Sequence, residues 1–295
     1  MKETMKETMT RPIEGTMKRK HLFELEDQDW FPENLRRYMT DVLMVLCQKM
    51  GVHQVLEHEI QRLIEQYHVS KIIDLGSGSG GPMPKILQKL RSKQNTANLE
   101  LLLTDLYPNT KAIETCSQIE GISYSQTPVD ATNLNIVGTL HGMEHSDCLL
   151  TMINSFHHMP PDVAHNILQS AVQNQKSIFI YELADNKIPF PIWLLMLPLG
   201  LLMNVISCLV MTLFVRPIDP KQLLFTYIIP IIPICFAWDG QVSYTRIYTF
   251  DDIDILCSGL QTEQYTWIKD DAKNADGKKF GTYILGIPKH LMTEA

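Results

Sequence analysis

Lys71–Gly81 reads KIIDLGSGSGG, an apolar run ending in an acid and followed at once by four closely spaced glycines. Lys71–Leu75 has the composition of a short buried strand, and the glycines that follow make a tight turn. Glycine admits positive φ and lets the backbone approach a ligand closely. Pro82–Leu90, PMPKILQKL, then reads as a helix with prolines in its first turn, where a missing N–H costs nothing. Strand, glycine turn and helix N-terminus in succession favour an anionic group. Gly76, Gly78 and Gly81 fit the dinucleotide pattern G-x-G-x-x-G, and a plain strand-to-helix turn would use the same residues.

The same alternation continues outward. LELLLTDL (99–106), ISYSQTPVD (122–130), CLLTMI (148–153) and SIFIYEL (177–183) each read as or contain a strand, and PPDVAHNILQSAV (160–172) is a proline-started helix. Strands alternating with helices imply a mostly parallel sheet covered on both faces, with ligands at the carboxyl ends of the strands. Asp105 and Asp130 fall at two such ends. A carboxylate after the second strand can accept both hydroxyls of a ribose, and one after the third can accept an adenine amino group. Thr249 and Asp252 form a capping box, and TEQYTWIK (262–269) with GTYILGI (281–287) reads as a terminal antiparallel hairpin.

These residues resemble the class I S-adenosylmethionine-dependent methyltransferases. Asp74-Leu-Gly76-Ser77-Gly78-Ser-Gly80 matches that family's D/E-x-G-x-G-x-G turn, and Asp105 and Asp130 match its ribose and adenine acids. The resemblance covers roughly 68–187 and 241–295. It implies a Rossmann-like α/β fold with a seven-stranded, mostly parallel sheet and an antiparallel last strand. It implies S-adenosyl-L-methionine as cofactor, held by Asp74, Gly76, Ser77, Gly78, Gly80, Asp105, Leu106, Asp130, Ala131 and Asn154, with no metal. A nicotinamide-dependent oxidoreductase is the alternative for the glycine pattern, but leaves the acid before the first glycine unexplained.

Methyl transfer is an in-line displacement, so the protein must align a nucleophile, exclude water and, where needed, take a proton. The segment after the fourth strand, INSFHHM (153–159), places His157 and His158 where that chemistry belongs. It resembles the same segment of small-molecule methyltransferases rather than the N-P-P-Y type. Histidine titrates near neutrality and can act as base; a packing role for either ring is the plainer reading. Glu182, after the fifth strand, is a candidate for a substrate's polar head. The helices before the sheet are expected to form a lid, in which DWFPENLRRYMTD (29–41) offers Trp30 and Tyr38 to a substrate.

The remaining anomaly is apolar. From Ile188 to Trp238 only Arg216, Asp219 and Lys221 carry charge. Pro189–Val215 is an uncharged run of 27 residues, and Gln222–Trp238 a second of 17; a helix needs about 20 to span a bilayer. Five prolines break these runs. A hairpin dipping into one leaflet, a soluble cap enclosing a greasy pocket or dimer face, and a two-pass span all fit. The expected division is a disordered tail over 1–20, a helical lid over 21–68, the cofactor core over 69–187, the apolar insert over 188–240, and the last helix and strands over 241–295.

The net charge of −7 argues against a nucleic-acid partner. Six scattered cysteines without C-x-x-C spacing, and a polar N-terminus without a secretory pattern, suit a reducing, cytoplasmic setting with peripheral or monotopic membrane attachment. The expected acceptor is a lipophilic small molecule or lipid, with a membrane surface and a second copy of the chain as further partners through the insert. A cofactor-binding scaffold without catalysis is the alternative from another class.

Overall fold

Each strand implied by the sequence forms, and the first five lie parallel. They are β1 (Lys71–Leu75), β2 (Glu100–Thr104), β3 (Ile122–Tyr124), β4 (Cys148–Ile153) and β5 (Ser177–Glu182). β6 (Tyr265–Lys273) and β7 (Lys279–Pro288) form the terminal hairpin, with β7 antiparallel to both β5 and β6. The sheet order is β3-β2-β1-β4-β5-β7-β6. The computed structural model describes residues 15–134, 148–260, 262–274 and 276–292.

Side chains alternate across the pleat, so one strand feeds two cores. Ile72, Leu101, Leu103 and Leu149 face a cluster under α2 (Val52–Tyr67), α3 (Met83–Arg91) and α4 (Thr110–Cys116). Ile73, Leu102, Leu150 and Ile178 face the opposite cluster, under α5 (Pro161–Gln173) and α9 (Phe250–Leu256). All six cysteines are buried free thiols. Thr249 and Asp252 close the expected capping box on α9. The strand order reverses between β1 and β4, which opens a crevice at their carboxyl ends.

A third cluster joins the N-terminal region to the insert. α1 (Glu33–Met50) packs Tyr38, Met39 and Val42 against Cys208 of α6 (Phe190–Thr212) and Ile232 and Phe236 of α8 (Ile231–Arg246). Between α6 and α8 lies α7 (Pro220–Leu223), which runs into a π-helical turn at Leu224–Ile228 and meets α8 at a bend of 78°. α6 and α8 cross where glycine on one meets a polar side chain on the other. A Cβ on Gly200 would lie 2.4 Å from Gln241 Oε1, and one on Gly240 2.9 Å from Asn204 Nδ2.

By length and composition α6 could cross a membrane, and its most apolar window is only 6% buried. Both of its ends are nevertheless tied to the body. Ile188 N–H donates to Tyr244 Oη at 2.9 Å at the near end. At the far end Tyr38 Oη donates to Asp219 Oδ2 at 2.8 Å, and Arg37 lies 3.3 Å from the same oxygen. A helix of 23 residues is about 34 Å long. It packs chiefly against α8 and also against α1, and the segments that flank it are hydrogen-bonded to α8 and α1.

The expected tail ends sooner than residue 20. Lys18 N–H donates to Asp252 Oδ1 at 2.6 Å, Arg19 is 6% exposed, and Lys20 N–H donates to Thr245 O. Residues 1–14 lie outside the described part. Arg19 is likewise taken up by the core: its Nε donates to Arg246 O and its Nη2 to His157 O.

Candidate active site

The glycine turn is held from two strands. Tyr124 Oη donates to Gly78 O at 2.8 Å, and Gly78 N–H donates to Asp105 Oδ2 at 2.8 Å. Gly76, Gly78, Gly80 and Gly81 all have positive φ, so the turn needs glycine for its backbone. A Cβ at Gly78 or Gly81 would meet nothing within 4 Å, which leaves open space over the turn. Asp74 is buried beneath it, its two oxygens accepting from Thr151 Oγ1 at 2.6 Å and Ser77 Oγ at 2.7 Å. Burial outweighs these bonds and pushes Asp74 up to about 6.

Asp105 spends one lone pair of each oxygen, on Gly78 N–H and on Tyr107 N–H at 2.8 Å. Each oxygen keeps a second lone pair, so bidentate acceptance of two hydroxyls remains open. Asp130 is exposed, and its Oδ1 accepts from Thr132 N–H and Oγ1. Leu106 is half exposed and Ala131 half buried beside them. Across the crevice, Ser155 Oγ is buried without a hydrogen-bond partner among the described residues, 3.6 Å from where a Cβ of Gly76 would stand. An orphaned hydroxyl facing a glycine floor with space above it fits the amino-acid end of a nucleoside cofactor.

Asn154 joins this cleft to a second one. Its φ is 52°, an uncommon conformation that asparagine tolerates better than most. Its N–H donates to Tyr181 O and its Oδ1 accepts from Leu183 N–H, both at 2.8 Å, so it splices the ends of β4 and β5. Behind it lies a cavity of about 510 Å³ between those strand ends, α1, α6 and α8. Its walls are mainly apolar side chains of the insert. Asn154, His157, His158, Glu182, Glu26 and Asp239 supply most of its polar lining.

The two histidines differ. Glu182 Oε1 accepts from His157 N–H at 3.0 Å, and Oε2 lies 2.8 Å from His157 Nδ1. That pairing places the ring proton on Nδ1 and leaves Nε2 as the acceptor. His158 Nδ1 instead lies 2.8 Å from Asp27 Oδ1 and 3.0 Å from Glu24 Oε2. Burial works against a charge on this ring, but the hydrogen bonds it makes to Asp27 and Glu24 prevail and raise its pKa well above the ordinary value. A ring held in its protonated form is the poorer base of the two.

Glu24, His157 and His158 bring ligand atoms within 4.8 Å of one another, a grouping of metal-binding residue types. Arg246 already answers the charge: it is 1% exposed and its Nη1 lies 2.7 Å from Glu24 Oε2 and 2.6 Å from Asp27 Oδ2. The arginine thus stands where a cation would be needed.

Two expected substrate residues are elsewhere. Trp30 is 67% exposed and packs edge-on to Phe31, and the buried aromatic of DWFP is Phe31. Tyr38 is buried, but it anchors Asp219, and its neighbour Met39 lines the cavity. In the strap formed by residues 15–32, the sequence pointed to Trp30, whereas the residues at the site are Glu24, Glu26 and Asp27. Asp239 of α8 accepts from Leu25 N–H at 2.8 Å and Glu26 N–H at 3.0 Å, and burial pushes it up to about 7. The available signal was the acids at 24, 26, 27 and 29 directly ahead of α1.

No family model and no curated protein matches the chain in sequence. Solved methyltransferases are similar to it in chain course. The methyltransferase domain of bacterial CtHen1 shares 10% identity over 79% of this chain and 98% of that one, with a TM-score of 0.44. Human N-acetylserotonin methyltransferase, solved with SAM, shares 11% over 87% of this chain and 56% of its own, with a TM-score of 0.45. The S-adenosylmethionine-dependent methyltransferase SibL shares 10% over 90% and 60%, with a TM-score of 0.46. The residue-level resemblance rests on the glycine turn and its acids, independently of these likenesses.

Proposed function

We propose that the chain transfers a methyl group from S-adenosylmethionine to a lipophilic acceptor held in the insert cavity. The observation that carries this reading is the junction at Asn154, where the glycine-turn cleft and an apolar cavity meet beside an oriented His157. When bound, the cofactor supplies a methyl on a positively charged sulfur, already activated toward a nucleophile. Gly76, Gly78 and Gly80 with Ser155 would hold its amino-acid end, Asp74 supporting the turn from below. Asp105 would accept from its ribose, and Asp130 from its adenine amino group. His157 Nε2 takes the proton of an acceptor hydroxyl, and Glu182 keeps the ring in the tautomer that can do so. The apolar walls exclude water from this step.

The insert is read as an in-plane, membrane-contacting cap, supported by the exposed apolar face of α6 and by the ties at both of its ends. Residues 21–68 are read as the lid, joined by residues 15–20, and residues 69–187 as the cofactor core. The test is transfer of labelled methyl into a lipid extract. Wild type should label an organic-phase product, and His157→Ala should bind cofactor yet label nothing. A protein that binds cofactor but labels no lipid or small molecule, while keeping its biological output in the His157 variant, is a scaffold instead.

A further inference from the structure

The cavity shares its wall with the outer apolar surface. Met196, Leu199 and Met203 line it, and the same residues are 48%, 57% and 55% exposed. Their spacing of three and four puts them on one stripe of α6. Leu43 of α1 does the same from the facing side, lining the cavity at 38% exposure. A side chain that is both inner wall and outer surface marks a mouth. Beyond it, Leu195 at 81% and Leu202 at 55% exposure carry the apolar band outward without lining the cavity.

The border of this band is cationic in an otherwise acidic chain. Of the three charged residues between 188 and 238, Asp219 is engaged by Tyr38 and Arg37. Among the described residues Arg216 donates to the carbonyls of Leu213 and Val215, and Lys49 sits 4.5 Å over the ring of Phe214. Apolar face, basic rim and both helix ends tied to the body suit an anionic leaflet.

Building on the acceptor cavity proposed above, we infer that the acceptor is a bilayer-resident lipid that loads sideways, between α1 and α6, with its polar head at His157. The hydrocarbon tail then passes from the acyl layer to the cavity without crossing water, so the hydrophobic cost of an aqueous route never arises. The head meets Asn154, His157 and Glu182, the polar groups at the strand ends.

The experiment uses the full chain on vesicles of phosphatidylcholine with a minor share of phosphatidylglycerol, carrying a phosphatidylcholine with a mid-chain diazirine. After irradiation, adducts are mapped by peptide mass spectrometry. The inference expects adducts on the inner wall, at the buried Trp193 or Phe236, as well as on Leu195 and Leu202 outside. Leu199→Trp, or Leu43→Trp from the opposite side, should remove the wall adducts while vesicle co-sedimentation and the outer adducts persist. Adducts confined to Leu195 and Leu202 overturn lateral loading. So does a chain that stays off vesicles as a dimer, in which case a second copy covers the face. Calorimetry with S-adenosylmethionine on the same preparation separates the two ideas: wall adducts without cofactor binding would leave the lipid site standing and remove the methyltransferase reading.

Discussion

Glu182 accepts from both the backbone N–H and the ring of His157, so the first bond fixes the carboxylate and the second holds the ring. General-base catalysis of this kind is worth about 10²–10⁴ in rate. His157→Ala should therefore lower turnover at least about a hundredfold with cofactor affinity unchanged. Glu182→Gln should lower kcat more than it raises KM; an effect on KM alone would make Glu182 a substrate ligand. Asp74 offers a second test. Its pKa is raised by burial, to about 6, so the folded state binds its proton more tightly than the unfolded chain. Its contribution is then complete below the ordinary aspartate range, falls as pH rises to about 6 and is flat beyond, a change on the order of 3 kcal/mol. Urea unfolding of Asp74→Asn across that window should lack this decline.

The strap and the helix junctions are where local chemistry sets an element's path. Gly51 closes α1 at a φ of 86° and caps the carbonyls of Cys47 and Gln48. Gly51→Ala should cost about 1 kcal/mol in thermal or urea unfolding, since alanine disfavours that conformation. The strap hangs on Asp239, Arg246 and His158. Because His158 gains affinity for its proton on folding, its hold is complete below the ordinary histidine range and is lost as pH rises through the folded value. Hydrogen exchange at Leu25 and Glu26 should accelerate at alkaline pH, and at neutral pH in Asp239→Ala. The strands, the capping box and the proline-started helices were legible because each depends on a few adjacent residues. The strap was not, because its partners lie more than a hundred residues away: Asp27 to Arg246, Arg19 to His157. His157 and His158 likewise look alike in sequence, and only their distant carboxylates divide their roles.

At the scale of the molecule, the sheet puts the glycine-turn cleft and an apolar cavity on one edge, with the insert as the outer wall. The sequence disclosed the cleft, since its glycines and acids follow consecutive strands. It disclosed the insert's apolar character too, but composition alone left its direction open. The bonds from Tyr38 and Arg37 to Asp219 tie the turn after α6 to α1. Tyr38→Phe with Arg37→Ala should loosen this tie and speed proteolysis in the 216–221 turn, leaving cofactor affinity intact. Everything said of transfer depends on the cleft holding its cofactor through Asp105. The most direct test is a calorimetric titration of the purified chain with S-adenosylmethionine, repeated on Asp105→Ala. Saturable one-site binding to the wild type, lost in a variant that keeps its circular dichroism spectrum, is the expected result; no binding to the wild type, or equal binding by both, would contradict the account.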